Sequence, residues 1–151
     1  MMMSEELDVA AALTQAIPFN NHVGLRIDTA RDGEATGELA VRPDLHNHIS
    51  TLHAAAQYAL IEALSGAATA SVLLADIARV TPLVEAIEVR YLKLLKGDAH
   101  GRATMTTSLD GIHDALEKDG RARFDVRVVL TGSDGVEATE AVAHWYARLN
   151  R

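Results

Sequence analysis

The stretch LHNHISTLHAAAQYALIEALSG, residues 45–66, gathers three histidines within eight positions and then runs into an alanine-rich pattern carrying one carboxylate, Glu62. Its second half decides the fold. Leu52, Ala56, Ala59, Ala63, Ala67 and Ala70 recur at three- and four-residue spacing, with Leu60, Leu64 and Val72 beside them. That spacing predicts a long, mostly buried helix over residues 52–75. An alanine face lets another layer approach closely, as a sheet curled around a helix requires.

On either side of that helix the period is two. Val23, Leu25 and Ile27 alternate with Gly24, Arg26 and Asp28, the turn RDGE follows, and Gly37, Leu39 and Val41 alternate with Glu38, Ala40 and Arg42. Two strands joined as a hairpin fit this pattern. Earlier still, apolar positions from Leu7 to Ile17 keep helical spacing, so residues 5–17 read as a short amphipathic helix with Ser4 as N-cap and Pro18 as its end. After Pro82 four more segments alternate: LVEAIEVRYLKLL, HGRATMTTS, RARFDVRVVL and, beyond a GSDG turn, GVEATEAVAHWYAR. Between the second and third of these, LDGIHDALEKDG reads as a turn-rich connection with room for a helical turn. The expected architecture is one α+β domain over residues 1–151, an antiparallel sheet of about six strands wrapped around one long central helix, with a short N-terminal helix. One helix cannot cover both faces of such a sheet, so a second copy of the chain is expected to bury what remains.

Composition narrows the partners. A formal charge of -7 and a pI near 5.4 oppose binding to nucleic acid or an anionic membrane surface, both of which need a basic face. The chain has no cysteine, which excludes disulfides, thiolate metal sites and thiol nucleophiles and gives no sign of an oxidising compartment. The N-terminus has no basic leader region, and no stretch approaches the ~20 apolar residues of a membrane span, so a cytoplasmic protein is expected.

The chemistry concentrates at the start of the long helix, where Asn47, His53 and Glu62 stand in the order N-x5-H-x8-E. A helix N-terminus offers unpaired N–H groups and partial positive charge, so the N–H groups near His53 and Ala54 could hold the oxyanion formed when a carbonyl is attacked. Ser50 or Thr51 could cap the same turn, and His53 itself could do no more than cap or hydrogen-bond at the helix start. Glu62 lies among Ala59, Leu60, Ile61, Ala63 and Leu64, where desolvation should raise its pKa toward a value useful to a base. Nine residues at about 100° each leave His53 and Glu62 on opposite sides of one helix, which points to a site shared between two chains.

Asn47, His53 and Glu62, taken with the element order from Val23 to Arg148, resemble the hotdog-fold acyl-CoA thioesterases of the phenylacetate-type branch, which includes uncharacterised DUF4442-like members. Their pattern is an Asn, then His-Gly-Gly six residues on, then an Asp or Glu nine residues past the His. In this chain His-Gly-Gly reads His53-Ala54-Ala55, and alanine keeps the backbone N–H that the first glycine of the family gives to the thioester carbonyl. The resemblance implies hydrolysis of acyl-CoA thioesters at a dimer interface, in a homodimer or homotetramer. Glu62 would be base or nucleophile, the Ala54 N–H the oxyanion donor, and Asn47 and His53 would assist, with no metal or bound cofactor.

Other readings stay open at this point. The lost Gly-Gly could mark a non-catalytic module that binds acyl-CoA. His48 precedes Glu62 by 14 residues, a spacing similar to that of the hotdog 3-hydroxyacyl dehydratases, although their Pro-Gly-rich segment is missing. His46, His48 and His53 could ligate a metal but lack a helical ligand spacing. Glu62 could be a solvated residue sharing a polar helix edge with Gln57 and Ser65. Arg90, Lys93, Lys96 and Arg102 could meet the phosphates of coenzyme A or form a solvated sheet edge. His22, His100, His113 and His144 read as surface or strand-face residues, and Trp145 and Tyr146 as core.

Overall fold

The computed structural model of the chain describes residues 8–151. Ser4 and residues 5–7, where the first helix was expected to start, lie outside them. The helix that is described, α1 (Val9–Ala16), is capped by Asp8, whose carboxylate accepts from the Ala11 N–H at 3.1 Å. Pro18 does end α1, but it also opens a second helix, α2 (Pro18–Val23), that the sequence reading lacked. The first helical N–H has no intrahelical acceptor, so proline is tolerated there. Gly24, left-handed at φ 83°, then stops α2 by donating its N–H to the Asn20 carbonyl, and β1 (Leu25–Arg31) begins two residues later than Val23.

β1 and β2 (Glu34–Leu39) form the expected hairpin, turned at Asp32-Gly33 with φ of 50° and 81°. The long helix α3 (Ala54–Leu73) follows, then β3 (Val80–Tyr91), β4 (Ala99–Met105), α4 (Leu109–Asp119), β5 (Arg121–Thr131) and β6 (Glu137–Leu149). α4 is a complete helix where a turn-rich connection was expected: the Ser108 hydroxyl caps it at Gly111, and Ile112 and Leu116, one turn apart, are its only buried residues. A stripe that narrow, interrupted by Gly111, carries little periodic signal. β3 starts ahead of Pro82, which an edge strand accepts because it need not donate on its open side.

The six strands form one antiparallel sheet in the order β1-β2-β4-β5-β6-β3, and α3 touches all six, so the sheet wraps the helix. By length and composition α3 with the turn that follows could cross a membrane, but 61% of that window is buried inside the fold, as in a core helix. The close approach expected from helix alanines is shared by the sheet. Gly37 and Gly101 stand opposite each other in β2 and β4, and Leu64 fills the notch between them. A Cβ on Gly101 would lie 2.3 Å from Leu64 Cδ1 and 2.9 Å from Leu130 Cδ2. Gly101→Ala is therefore expected to cost about 1–3 kcal/mol by overpacking, read as a lower urea midpoint at unchanged m-value.

The face of the sheet turned away from α3 is a lattice of charge: Arg26 with Glu38 at 2.8 Å, Arg123 with Glu85 at 2.9 Å, and the His144 ring between Asp125 at 2.6 Å and Glu88 at 3.2 Å. The hydrogen bonds to Asp125, and then to Glu88, raise the pKa of His144 and favour its cation. That face needs no cover. What stays apolar and open is the β3 edge and its continuation, where Leu83, Tyr91, Leu92 and Leu94 are each about half exposed. The basic residues do not cluster as expected: β4 with Arg102 lies three strands, roughly 14 Å, from β3 with Arg90.

Candidate active site

Residues 45–53 form a loop stitched to itself before α3 begins. The Asn47 N–H donates to the Thr51 carbonyl at 2.8 Å, and the His53 N–H donates to the Leu45 carbonyl at 2.8 Å. The Asn47 side chain closes the tip, accepting at Oδ1 from the Ile49 and Thr51 N–H groups, each at 3.0 Å, and donating to Thr51 Oγ1 at 2.7 Å. One amide hydrogen of Asn47 is left over. Ser50 takes a left-handed φ of 63°, a cost this bonded turn has to offset.

Neither Ser50 nor Thr51 caps α3. His53 is the N-cap: its Nδ1 accepts from the Ala55 N–H at 2.9 Å, the part usually played by a serine or aspartate oxygen. An accepting Nδ1 places the proton of the neutral ring on Nε2. With φ -59° and ψ 142°, His53 also stands off the helical path, so a helical wheel does not fix where its ring points.

Capping leaves one donor over. The Ala56 and Gln57 N–H groups both reach the His53 carbonyl at 3.0 Å, those of Ala55 and His53 are bonded as described, and only the Ala54 N–H in this turn has no acceptor among the described residues. Ala54 is exposed, so this donor is open to a ligand. The peptide that carries this N–H is held through its own carbonyl, that of His53, which accepts from Ala56 and Gln57, and the following peptide is held from the sheet, since the Tyr91 hydroxyl donates to the Ala54 carbonyl at 3.0 Å. Burial, and then the nearby Tyr58, raise the pKa of Tyr91 and keep it a donor.

Glu62 lies eight residues along α3 from Ala54, about 12 Å up the axis. It is half-buried, its carboxylate has no hydrogen-bond or ion-pair partner among the described residues, and burial raises its pKa. The polar helix edge that would have made it an ordinary solvated residue is absent. Gln57 is buried, donating to the Leu52 carbonyl at 3.2 Å and accepting from the Thr139 hydroxyl. Ser65 is buried too, donating to the Glu62 carbonyl at 2.9 Å and accepting from Trp145 Nε1 at 3.1 Å. Glu62 instead shares an open stripe with Tyr58 and Gly66, on the side of α3 next to β3 and β6.

Among the described residues no three His, Asp or Glu side chains converge as a metal site would need, and His48 stands exposed at the loop tip. Sequence reasoning gave no role to Tyr91 or Thr139, which reach Ala54 and Gln57 from strands far along the chain, and no local spacing records such contacts.

One long helix held inside a six-stranded antiparallel sheet defines the chain as a hotdog-fold protein. It belongs to the DUF4442 family, a domain of unknown function, whose model matches residues 7–147. No curated protein matches the sequence. Among solved structures it is similar to a Pseudomonas aeruginosa protein of unknown function described as a probable thioesterase, at 24% identity over 99% of each chain with a TM-score of 0.81. A second similar structure is a mutant thioesterase from the same organism, at 19% identity over 98% of this chain and 97% of that one, TM-score 0.77. A third is a thioesterase family protein from Silicibacter pomeroyi, at 18% identity over 95% and 98%, TM-score 0.75. Likeness at these identities speaks for the fold.

Proposed function

We propose that the protein hydrolyses acyl-CoA thioesters, with the Ala54 N–H as oxyanion donor and Glu62 as base or nucleophile, in a homodimer joined along β3. The observation that carries this reading is the single free donor: at a helix start whose neighbouring N–H groups are all occupied, the Ala54 N–H has no acceptor among the described residues, and the carbonyl of its own peptide, that of His53, is held by Ala56 and Gln57. Such a donor stabilises negative charge developing on a carbonyl oxygen.

In the base form of the reaction, Glu62 takes a proton from water as the water oxygen bonds to the thioester carbon. The carbonyl electron pair moves to oxygen and is held at Ala54. The C–S bond then breaks as the carbonyl re-forms, and the thiolate leaves with the proton that Glu62 returns. Free acid and coenzyme A thiol are the products, and neither a metal nor a bound cofactor is required.

The ~12 Å between Ala54 and Glu62 along one helix supports a site completed by two chains. The open β3 edge and the open stripe of α3 lie on the same side of the molecule, and a two-fold axis there would set two α3 helices side by side and antiparallel. Glu62 of the partner subunit would then stand near Ala54. His53 by capping and Asn47 by closing the loop position the Ala54 peptide, and the spare Asn47 N–H is free to orient the carbonyl or the water.

The test is release of coenzyme A thiol from acetyl-, octanoyl-, palmitoyl- and phenylacetyl-CoA. Turnover of at least one at kcat/KM of about 10⁴ M⁻¹s⁻¹ or more is expected. Binding of these thioesters without turnover of any would overturn the hydrolase reading and make the chain an acyl-thioester binding module.

A further inference from the structure

On the face of the sheet turned away from α3, β5 carries three arginines. Two are paired, Arg123 with Glu85 at 2.9 Å and Arg127 with Glu140 at 3.7 Å. The third, Arg121, stands directly opposite Arg148 of β6; both are exposed, and neither has an ion-pair partner among the described residues. The Leu149 N–H donates to the Gly120 carbonyl at 2.9 Å, so the next pair along the ladder, Arg121 with Arg148, is a non-hydrogen-bonded one, whose side chains stand closest. Like charges at such positions weaken a sheet. A fold that keeps a locally costly arrangement commonly does so at a functional site.

A cavity of about 660 Å³ opens over this pair. It is lined by both arginines, by Gly120 and Leu149, and by Asp119, Tyr146, Asn150 and Arg151. Asp119 is the only carboxylate side chain of the lining and makes no ion pair with either arginine. The Tyr146 ring lies 5.0 Å from the Arg123 guanidinium carbon, and its hydroxyl has no partner among the described residues. The rim is fixed at Asn150, whose N–H donates to the Arg79 carbonyl at 2.7 Å and whose side chain accepts from the Thr81 hydroxyl.

We propose that this cavity binds a phosphomonoester, gripped by the Arg121 and Arg148 guanidiniums. Two adjacent planar forks match a tetrahedral anion of several acceptor oxygens, and a phosphomonoester brings about -1.5 to -2 of charge to offset both cations, where a carboxylate would be satisfied by one fork. The Tyr146 hydroxyl supplies a further donor. The repulsion between Arg121 and Arg148, a cost to the chain alone, is relieved by the ligand and so favours binding. Arg148 pairs with Thr81 at the start of β3, roughly 33 Å along that strand from Tyr91, which touches Ala54. Within one chain the site is therefore distinct from Ala54 and Glu62, and its assignment does not depend on their roles.

The experiment is calorimetric titration of the full chain with inorganic phosphate, 5′-AMP and adenosine, with thermal melts alongside. Phosphate and AMP are expected to bind with millimolar Kd or tighter, more weakly as salt rises, and adenosine not to bind. Arg121→Gln and Arg148→Gln should each weaken phosphate binding about tenfold or more, yet melt above the wild type in phosphate-free buffer, because each removes one of two opposed like charges. Arginines that only held the strands together would give lower melts instead. AMP binding about tenfold tighter than phosphate, with the gain lost in Tyr146→Ala, would support the site and identify a nucleotide as the source of the phosphate. Equal affinities would support it with phosphate alone as the ligand. No phosphate binding by the wild type, or phosphate affinity unchanged in both glutamine variants, overturns the proposal. None of these outcomes depends on whether a thioester is hydrolysed, so the proposal and the hydrolase reading fail separately.

Discussion

Glu62→Gln is expected to lower kcat/KM for every acyl-CoA by about 10³-fold or more while raising, not lowering, conformational stability above neutral pH. The first effect follows from the loss of a carboxylate that takes a proton or attacks carbon, since a positioned base contributes roughly 10²–10⁴ in rate. The second follows from linkage. Burial raises the Glu62 pKa, so between the ordinary carboxylate value and the raised one the folded chain binds more proton than the unfolded chain. Stability therefore falls as pH rises through that interval, and above it the ionised, unpartnered side chain works against folding. A neutral amide removes that opposition. In the wild type kcat/KM should climb with pH as Glu62 ionises and then level off. Thermal melts across pH 5–9 alongside thiol-release assays check both halves. If Glu62 were only a packing residue, stability and activity would fall together, and that outcome would reject its catalytic role.

The opposite signs also explain why this carboxylate could be picked out of the sequence at all. A lone Glu in an alanine and leucine helix breaks the rule that buried charge is paired, and such breaks gather at functional sites. The central helix and the six strands were legible for the same reason in reverse, because there local pattern and global fold agree. α2 was not, because its six residues begin at a proline that also ends the helix before it, so one residue carries two opposite signals. At the candidate site, the reading of Asn47 to Glu62 offered Ser50, Thr51 or His53 itself as the cap. The structure gives it to His53, whose ring nitrogen substitutes for an oxygen that pattern reading looks for. Gln57 and Ser65 were read as a polar edge because their partners, Thr139 and Trp145, come from β6, some 80 residues away in the chain.

Ala54→Pro is expected to remove the oxyanion donor with little change to the fold. Ala54 is the first residue of α3, where proline is tolerated, and its N–H bonds to nothing among the described residues. The residue before a proline must be extended or polyproline-like, and His53 already is, at φ -59° and ψ 142°. The variant should therefore melt within a few degrees of the wild type while kcat falls about 10²–10³-fold, the usual loss on deleting one oxyanion donor. The loss should appear in kcat rather than KM, because the charge the N–H stabilises exists only in the transition state. Two comparisons separate this from a pocket blocked by the proline ring. S-octyl-CoA thioether, which has no carbonyl, should bind Ala54→Pro as tightly as it binds the wild type. Ala54→Gly, which keeps the N–H and removes the methyl, should retain activity. Wild-type kcat in Ala54→Pro would show that charge is stabilised elsewhere, and the loop from Asn47 to His53 would then be a helix cap and nothing more.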